Sequence, residues 1–76
     1  MLTGLQIREA RKLLQWDRAT LSRNTFVTQA LINAIESSDG PAWMSDKQEA
    51  DFRRAYEAAG IRFEKDAKGE LRAMTA

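Results

Sequence analysis

The sequence contains neither cysteine nor histidine, and these two absences remove most of the common reactive sites. Without thiols there is no disulfide framework, no cysteine nucleophile and no thiolate metal site. Without imidazole, catalytic triads with a histidine base and most zinc sites are excluded as well. We therefore expect this chain not to be an enzyme and to use no cofactor and no metal.

Long apolar runs and a strong charge of one sign are also missing. No window approaches the roughly 20 apolar residues of a membrane-spanning helix, and the first residues do not have the pattern of a signal peptide. The sequence thus predicts a soluble, cytoplasmic protein without membrane contact. The formal net charge is only +1, so overall charge does not by itself indicate a nucleic-acid partner.

The charges that are present are unevenly distributed. Residues 1–27 hold five basic and two acidic residues, whereas residues 28–40 hold two acidic residues and no basic one. Most nucleic-acid affinity comes from neutralising phosphates. Any such affinity must therefore come from basic side chains outside residues 28–40, among them Arg18 and Arg23.

Two pairs of residues have the spacing of a helix capping box. Thr3 followed by Gln6 predicts a first helix that ends near Gln15, and Ser45 followed by Gln48 predicts the start of a later one. In both cases apolar residues continue at helical spacing after the cap. One helix is therefore expected near the start of the chain and another after residue 45.

Two further caps lie close together in the middle of the sequence. Asp17 can cap a helix from Arg18 to about Asn24, and Thr28 can cap one that runs to about Ile35. Only Thr25 to Val27 would connect them, which is the arrangement of a helix-turn-helix. The large apolar residues available for a shared core are Leu21, Val27, Ile32 and Ile35.

The whole chain, residues 1–76, is predicted to form one domain. Breaker residues at 37–41 end a trihelical core of residues 1–40, and a fourth helix is expected over residues 45–60. Residues 61–74 have the pattern of a small β-hairpin. The predicted fold class is mainly α, with four to five short helices, a helix-turn-helix and a small C-terminal hairpin.

Three sequence segments together point to a known family. They are TGLQIREARKLLQW at residues 3–16, DGP at 39–41 and RRAYEAAGIRF at 53–63. At these spacings the chain resembles the short bacterial form of the Cro and phage-repressor type of helix-turn-helix regulator, the XRE family, over nearly its whole length. The resemblance implies a lambda-repressor-like fold and a homodimeric repressor or autoregulator that binds double-stranded operator DNA.

The resemblance also implies which residues contact DNA. Arg18 stands where the family usually has a phosphate-contacting glutamine, and Thr28 is both a cap and a phosphate contact. Arg23, in the same basic segment, adds attraction for phosphates. The base- or backbone-facing positions of the third helix are occupied by Gln29, Ala30, Asn33 and Ala34.

The chain departs from the family in the turn and on the third helix. The family turn usually has a small residue followed by glycine, whereas this chain has Thr25 and Phe26. A bulky residue in a left-handed backbone is strained unless the turn changes shape. The two alanines of the third helix can touch only a thymine methyl, so Gln29 and Asn33 alone can hydrogen-bond to base edges.

An apolar patch leaves a second function open. Leu31 replaces a usually small polar residue and, with Phe26, Ala30 and Ala34, can form a surface suited to a protein partner. On this hypothesis the chain is an antiactivator or similar modulator that keeps the helix-turn-helix scaffold and binds another regulatory protein. The simpler alternative places Phe26 and Leu31 in the core.

Three other residues receive a structural interpretation. Glu36 and Asp39 form a carboxylate pair without a base or a third ligand, so we expect them to be solvated charges at a helix end. Trp43 is expected to close the core between the third and fourth helices.

Overall fold

The computed structural model describes residues 2–38 and 44–75. Over these ranges the chain is mainly helical and ends in a two-stranded antiparallel sheet, as predicted. None of the helices in the described ranges is long and apolar enough to cross a membrane. The expectations for Asp39, Trp43 and the DGP segment fall outside those ranges. The elements are α1 (Gly4–Leu13), α2 (Arg18–Thr25), α3 (Gln29–Glu36), α4 (Asp46–Ala58), β1 (Ile61–Lys65) and β2 (Leu71–Thr75).

Both predicted capping boxes are present. The hydroxyls of Thr3 and Ser45 accept the backbone N–H groups of Gln6 and Gln48, at 3.5 and 3.1 Å. The side-chain oxygens of these glutamines accept the N–H groups of the capping residues in return, at 2.8 and 2.9 Å. These local bonds satisfy orphan donors at the first turns of α1 and α4.

The helices α2 and α3 also begin at their predicted caps. Asp17 and Thr28 each accept a backbone N–H from the first turn of their helix, at 2.8 and 3.2 Å. The end of α2 lies at Thr25, one residue later than predicted. The buried hydroxyl of Thr25 donates to the carbonyl of Leu21 at 2.7 Å, which keeps this residue in the helix. The connector is therefore Phe26–Thr28.

A single apolar cluster joins the helices and the first strand, and all four residues predicted for the core of α2 and α3 belong to it. Burial of these side chains supplies the main driving force that holds the short helices together, since helices of eight to ten residues are marginal by themselves. The buried members are Leu2, Ile7, Ala10, Leu21, Val27, Ile32, Ile35, Phe52, Tyr56 and Ile61.

Tyr56 is the aromatic centre of this cluster. Its ring lies 6.1 Å from that of Trp16, 6.4 Å from that of Phe52 and 5.9 Å, edge-on, from that of Phe63. Its hydroxyl donates to the carbonyl of Ile7 at 2.9 Å, so the buried polar atom has a partner. Burial raises the pKa of Tyr56 well above its usual value.

The C-terminal hairpin packs on the helices, as a marginal two-stranded sheet requires. Gly60, with φ 94°, follows the end of α4 in the left-handed region and leads into β1. The second strand is held to α1, because the side-chain amide of Gln6 donates to the carbonyl of Leu71 at 2.8 Å. An ion pair between Arg72 and Glu9, at 2.6 Å, adds a second link to α1.

The N-terminus of α1 and the C-terminal end of α3 meet at Gly4. A Cβ atom at this glycine would overlap the backbone carbonyl oxygens of Ile35 and Ser38. The absence of a side chain therefore permits the close approach of the two segments. This contact sets the position of α3 against α1.

Candidate nucleic-acid interface

The helix α3 is amphipathic, and the residues assigned to DNA contact lie on its outward side. Its inward side buries Ile32, Ile35 and Glu36. Because a helix turns once in about 3.6 residues, Ala30 and Ala34 lie opposite Ile32, with Asn33 beside them, and Gln29 is exposed in the first turn of the helix. The exposed residues are Gln29, Ala30, Asn33 and Ala34.

The carboxamides of Gln29 and Asn33 are available to an external partner. They are four residues apart and therefore lie one above the other on the same face. Within the described residues neither side chain makes a hydrogen bond. Their donors and acceptors are thus offered to solvent, flanked by the methyl groups of Ala30 and Ala34.

The connector keeps a left-handed residue although it lacks glycine. Phe26 has φ 61° and ψ 19°, and its N–H donates to the carbonyl of Ser22 at 2.9 Å. The hydroxyl of Ser22 donates in turn to the carbonyl of Val27, and the N–H of Val27 donates to the hydroxyl of Thr25 at 3.2 Å. These side chains hold the turn in shape while Phe26 carries the strain.

Phe26 is also the most exposed large apolar residue of the described chain, at 87% of its surface. Leu31, by contrast, is half-buried and packs against the core cluster. The apolar patch expected from Phe26, Ala30, Leu31 and Ala34 therefore has less aliphatic surface than the sequence suggested. The exposed members are Phe26, Ala30 and Ala34.

The expectation that Glu36 is a solvated helix-end charge is wrong. Its side chain is fully buried and accepts Nε and Nη2 of Arg11, each at 2.8 Å. Nε of Arg18 lies 3.3 Å from the same carboxylate, and Nη1 of Arg8 donates to the backbone carbonyl of Glu36 at 2.8 Å. The hydrogen bonds from Arg11 to the buried carboxylate raise the pKa of this arginine.

Sequence reasoning missed this buried carboxylate, although one signal was present. Glu36 follows Ile32 by four residues and therefore lies on the same inward side of α3. Arg8 and Arg11, three residues apart, lie on one face of α1. Together they indicate an ion pair between α1 and α3.

Arg18 belongs partly to this cluster and partly to the surface. Its Nε is its only atom in hydrogen-bond contact with Glu36 among the described residues, and its side chain is 45% exposed. Arg23, in the last turn of α2, is exposed and donates to the hydroxyl of Thr20 at 3.3 Å. The positive charge beside the connector thus comes from α2, whereas the outward side of α3 is uncharged.

Comparison with protein-family models, curated proteins and solved structures gave no match to this chain. Function is therefore inferred from the geometry and chemistry of the α2–α3 surface.

Proposed function

We propose that this chain is a sequence-specific DNA-binding transcriptional regulator of the Cro and phage-repressor kind, which acts as a homodimeric repressor or autoregulator. The observation that carries the proposal is the exposed face of α3, with free carboxamides at Gln29 and Asn33, presented after a three-residue connector from α2. Helix-turn-helix proteins insert a helix placed in this way into the major groove.

The phosphate contacts in this proposal come from outside α3. Arg18 begins α2 and Arg23 lies in its last turn, so both flank the connector, while Thr28 offers its hydroxyl at the start of α3. Each phosphate neutralised by a cation adds about 0.9 to the slope of log affinity against log salt. Two arginines per protomer predict a slope of about 1.8 per half-site, which is a modest salt dependence.

Fluorescence anisotropy with labelled duplexes tests the proposal. The purified chain is titrated against its own upstream region and against random duplexes, at salt concentrations from about 50 to 200 mM. We expect tighter binding to the upstream duplex, and we expect Arg18→Ala and Arg23→Ala each to lower the salt slope by about 0.9.

Lys68→Ala is the matched control, because it removes the same charge from the turn of the hairpin, where Lys68 is exposed. It should leave the salt slope unchanged. If the chain binds none of the duplexes in a salt-dependent way, DNA regulation is ruled out.

The exposure of Phe26 favours a second candidate function, that of a modulator which binds another regulatory protein. An aromatic side chain that is 87% exposed and held in a strained backbone is more typical of a contact residue than of a turn residue. Ala30 and Ala34 are exposed on α3, the helix that follows this turn, and would extend the contact.

The two functions respond differently to one substitution. If the partner is a protein, Phe26→Asp abolishes capture of that regulator. Phe26→Asn is the control: asparagine suits the left-handed backbone and removes the ring without adding a charge. If the partner is DNA, Phe26→Asp leaves the preference for the upstream duplex in place. A regulator bound equally by wild type and Phe26→Asp would count against the second function.

A further inference from the structure

We infer that α3 reads A·T base pairs, so that the preferred ligand of this chain is DNA with an A·T-rich half-site. The inference rests on the proposed DNA-binding function and names the base composition that the same surface recognises. It is carried by the four exposed side chains of α3, which are two carboxamides and two methyl groups.

The carboxamides of Gln29 and Asn33 match adenine better than any other base. Adenine presents an acceptor, N7, beside a donor, the N6 amino group, and a carboxamide offers one donor and one acceptor in the same spacing. Guanine presents two acceptors, N7 and O6, so the amide oxygen would be left without a partner. Both side chains are free of other hydrogen bonds within the described residues.

The groups that read guanine and cytosine are missing from this face. Guanine is matched by the two donors of arginine or by lysine, and α3 contains neither. Cytosine presents a donor that a carboxylate can accept, but the one carboxylate of α3, Glu36, is fully buried against Arg11. An uncharged α3 face therefore disfavours G·C pairs.

The alanines add a contact that only thymine supplies. Ala30 and Ala34 are exposed beside the carboxamides, and their methyl groups can pack on the C5 methyl of thymine. No other standard base carries an apolar group in the major groove. Both kinds of side chain on this face thus favour the same base pair.

Helix geometry limits the length of sequence that is read. Gln29 and Asn33 are four residues apart, which is a rise of about 6 Å along the helix axis. Successive bases are about 3.4 Å apart along one strand. When α3 lies along the major groove, the two carboxamides therefore contact bases about two positions apart, and the half-site core spans about three base pairs.

Selection from a pool of randomised duplexes, followed by sequencing of the bound fraction, tests the inference. We expect A·T at two positions of each half-site, each preferred over G·C by roughly tenfold or more. Gln29→Ala should erase the preference at one of these positions and Asn33→Ala at the other. Gln29→Arg should change its position from A·T to G·C, because arginine matches guanine.

Thr75→Ala, on the exposed end of β2, is the control for removal of a polar side chain, and its selected sequences should equal those of wild type. Enriched sites with G·C at the contacted positions, or a Gln29→Ala variant that weakens every duplex equally, would overturn the inference and leave DNA regulation standing. A pool with no enrichment, together with no salt-dependent binding to any duplex, would overturn both.

Discussion

The buried carboxylate of Glu36 is held by Arg11 through two hydrogen bonds of 2.8 Å, one to each of its oxygens. This fork-to-fork pair joins the end of α3 to the last turn of α1, and it thereby holds in place the helix that carries Gln29 and Asn33. A paired and fully hydrogen-bonded carboxylate is tolerated in the interior, whereas an unpaired charge there is costly. The orientation of α3 therefore depends on both partners.

Glu36→Gln is expected to destabilise the fold strongly, because it leaves the guanidinium of Arg11, only 13% exposed, without its counter-charge. Removal of one partner from a buried pair costs about 3–5 kcal/mol. Arg18→Ala should cost about 1 kcal/mol or less, since that side chain is 45% exposed and its contact with Glu36 is 3.3 Å long. Urea unfolding followed by circular dichroism measures both, and equal losses would refute the assignment of Arg11 as the main partner.

Gly4→Ala is expected to lower stability even though alanine favours helices. Intrinsic propensity alone predicts a gain of up to about 1 kcal/mol. The new methyl group would, however, overlap the carbonyl oxygens of Ile35 and Ser38, and overpacking of this kind costs about 1–3 kcal/mol. The sign of the change in melting temperature thus shows whether α1 and α3 approach each other closely at Gly4.

Gly69→Ala is the comparison for this substitution, because a Cβ atom there meets nothing within 4 Å and only the backbone, at φ 82°, opposes it. Its cost should be about 1–2 kcal/mol from the left-handed conformation alone. Crystals of Gly4→Ala that show α3 unmoved and the protein equally stable would exclude the contact.

The order and type of the elements were predictable because the signals for them are local. Thr3, Asp17, Thr28 and Ser45 each cap a helix by bonding to a residue three positions later. The end of α2 was less predictable, because the hydroxyl of Thr25 can support either a turn or one more helical residue.

The site was predictable where it depends on periodicity and unpredictable where it depends on distant contacts. The exposure of Asn33 follows from helical spacing, since it lies about 160° around α3 from Ile35, whereas Gln29 lies three residues before Ile32 and is exposed in the first turn of the helix. Helical spacing places Glu36 on the buried side of α3, but its exact pairing with an arginine 25 residues away in sequence depends on how α1 and α3 pack.

Phe26→Gly is expected to raise stability. The left-handed φ of 61° at Phe26 costs the folded state about 1–2 kcal/mol, and the exposed ring contributes little packing in return. Glycine removes this strain but adds about 0.4–1 kcal/mol of backbone entropy to the unfolded chain. The net gain should be about 0.5–1 kcal/mol, measured as an increase in the denaturation midpoint. A clear loss of stability would instead show that the ring is covered in solution.

The Asp17 cap of α2 makes the free energy of unfolding depend on pH in the acid range. The pKa of Asp17 is lowered from 3.8, chiefly because its carboxylate accepts the backbone N–H of Thr20. A carboxyl group whose pKa is lower in the folded state stabilises the fold above its unfolded pKa. This contribution is complete above pH 3.8 and is lost as the pH falls through the folded pKa of the group.

Asp17→Asn separates the cap from its charge, since asparagine keeps an acceptor oxygen but does not titrate in this range. We expect its melting temperature to fall less than that of wild type as the pH is lowered below about 4, whereas Asp17→Ala should be less stable than wild type at neutral pH as well. The melting temperatures of wild type and both variants are measured by thermal unfolding between about pH 7 and pH 2. Parallel curves for wild type and Asp17→Asn would mean that this carboxylate does not contribute to acid unfolding, and other groups such as Asp51, whose pKa is lowered chiefly by Lys47, would then account for it.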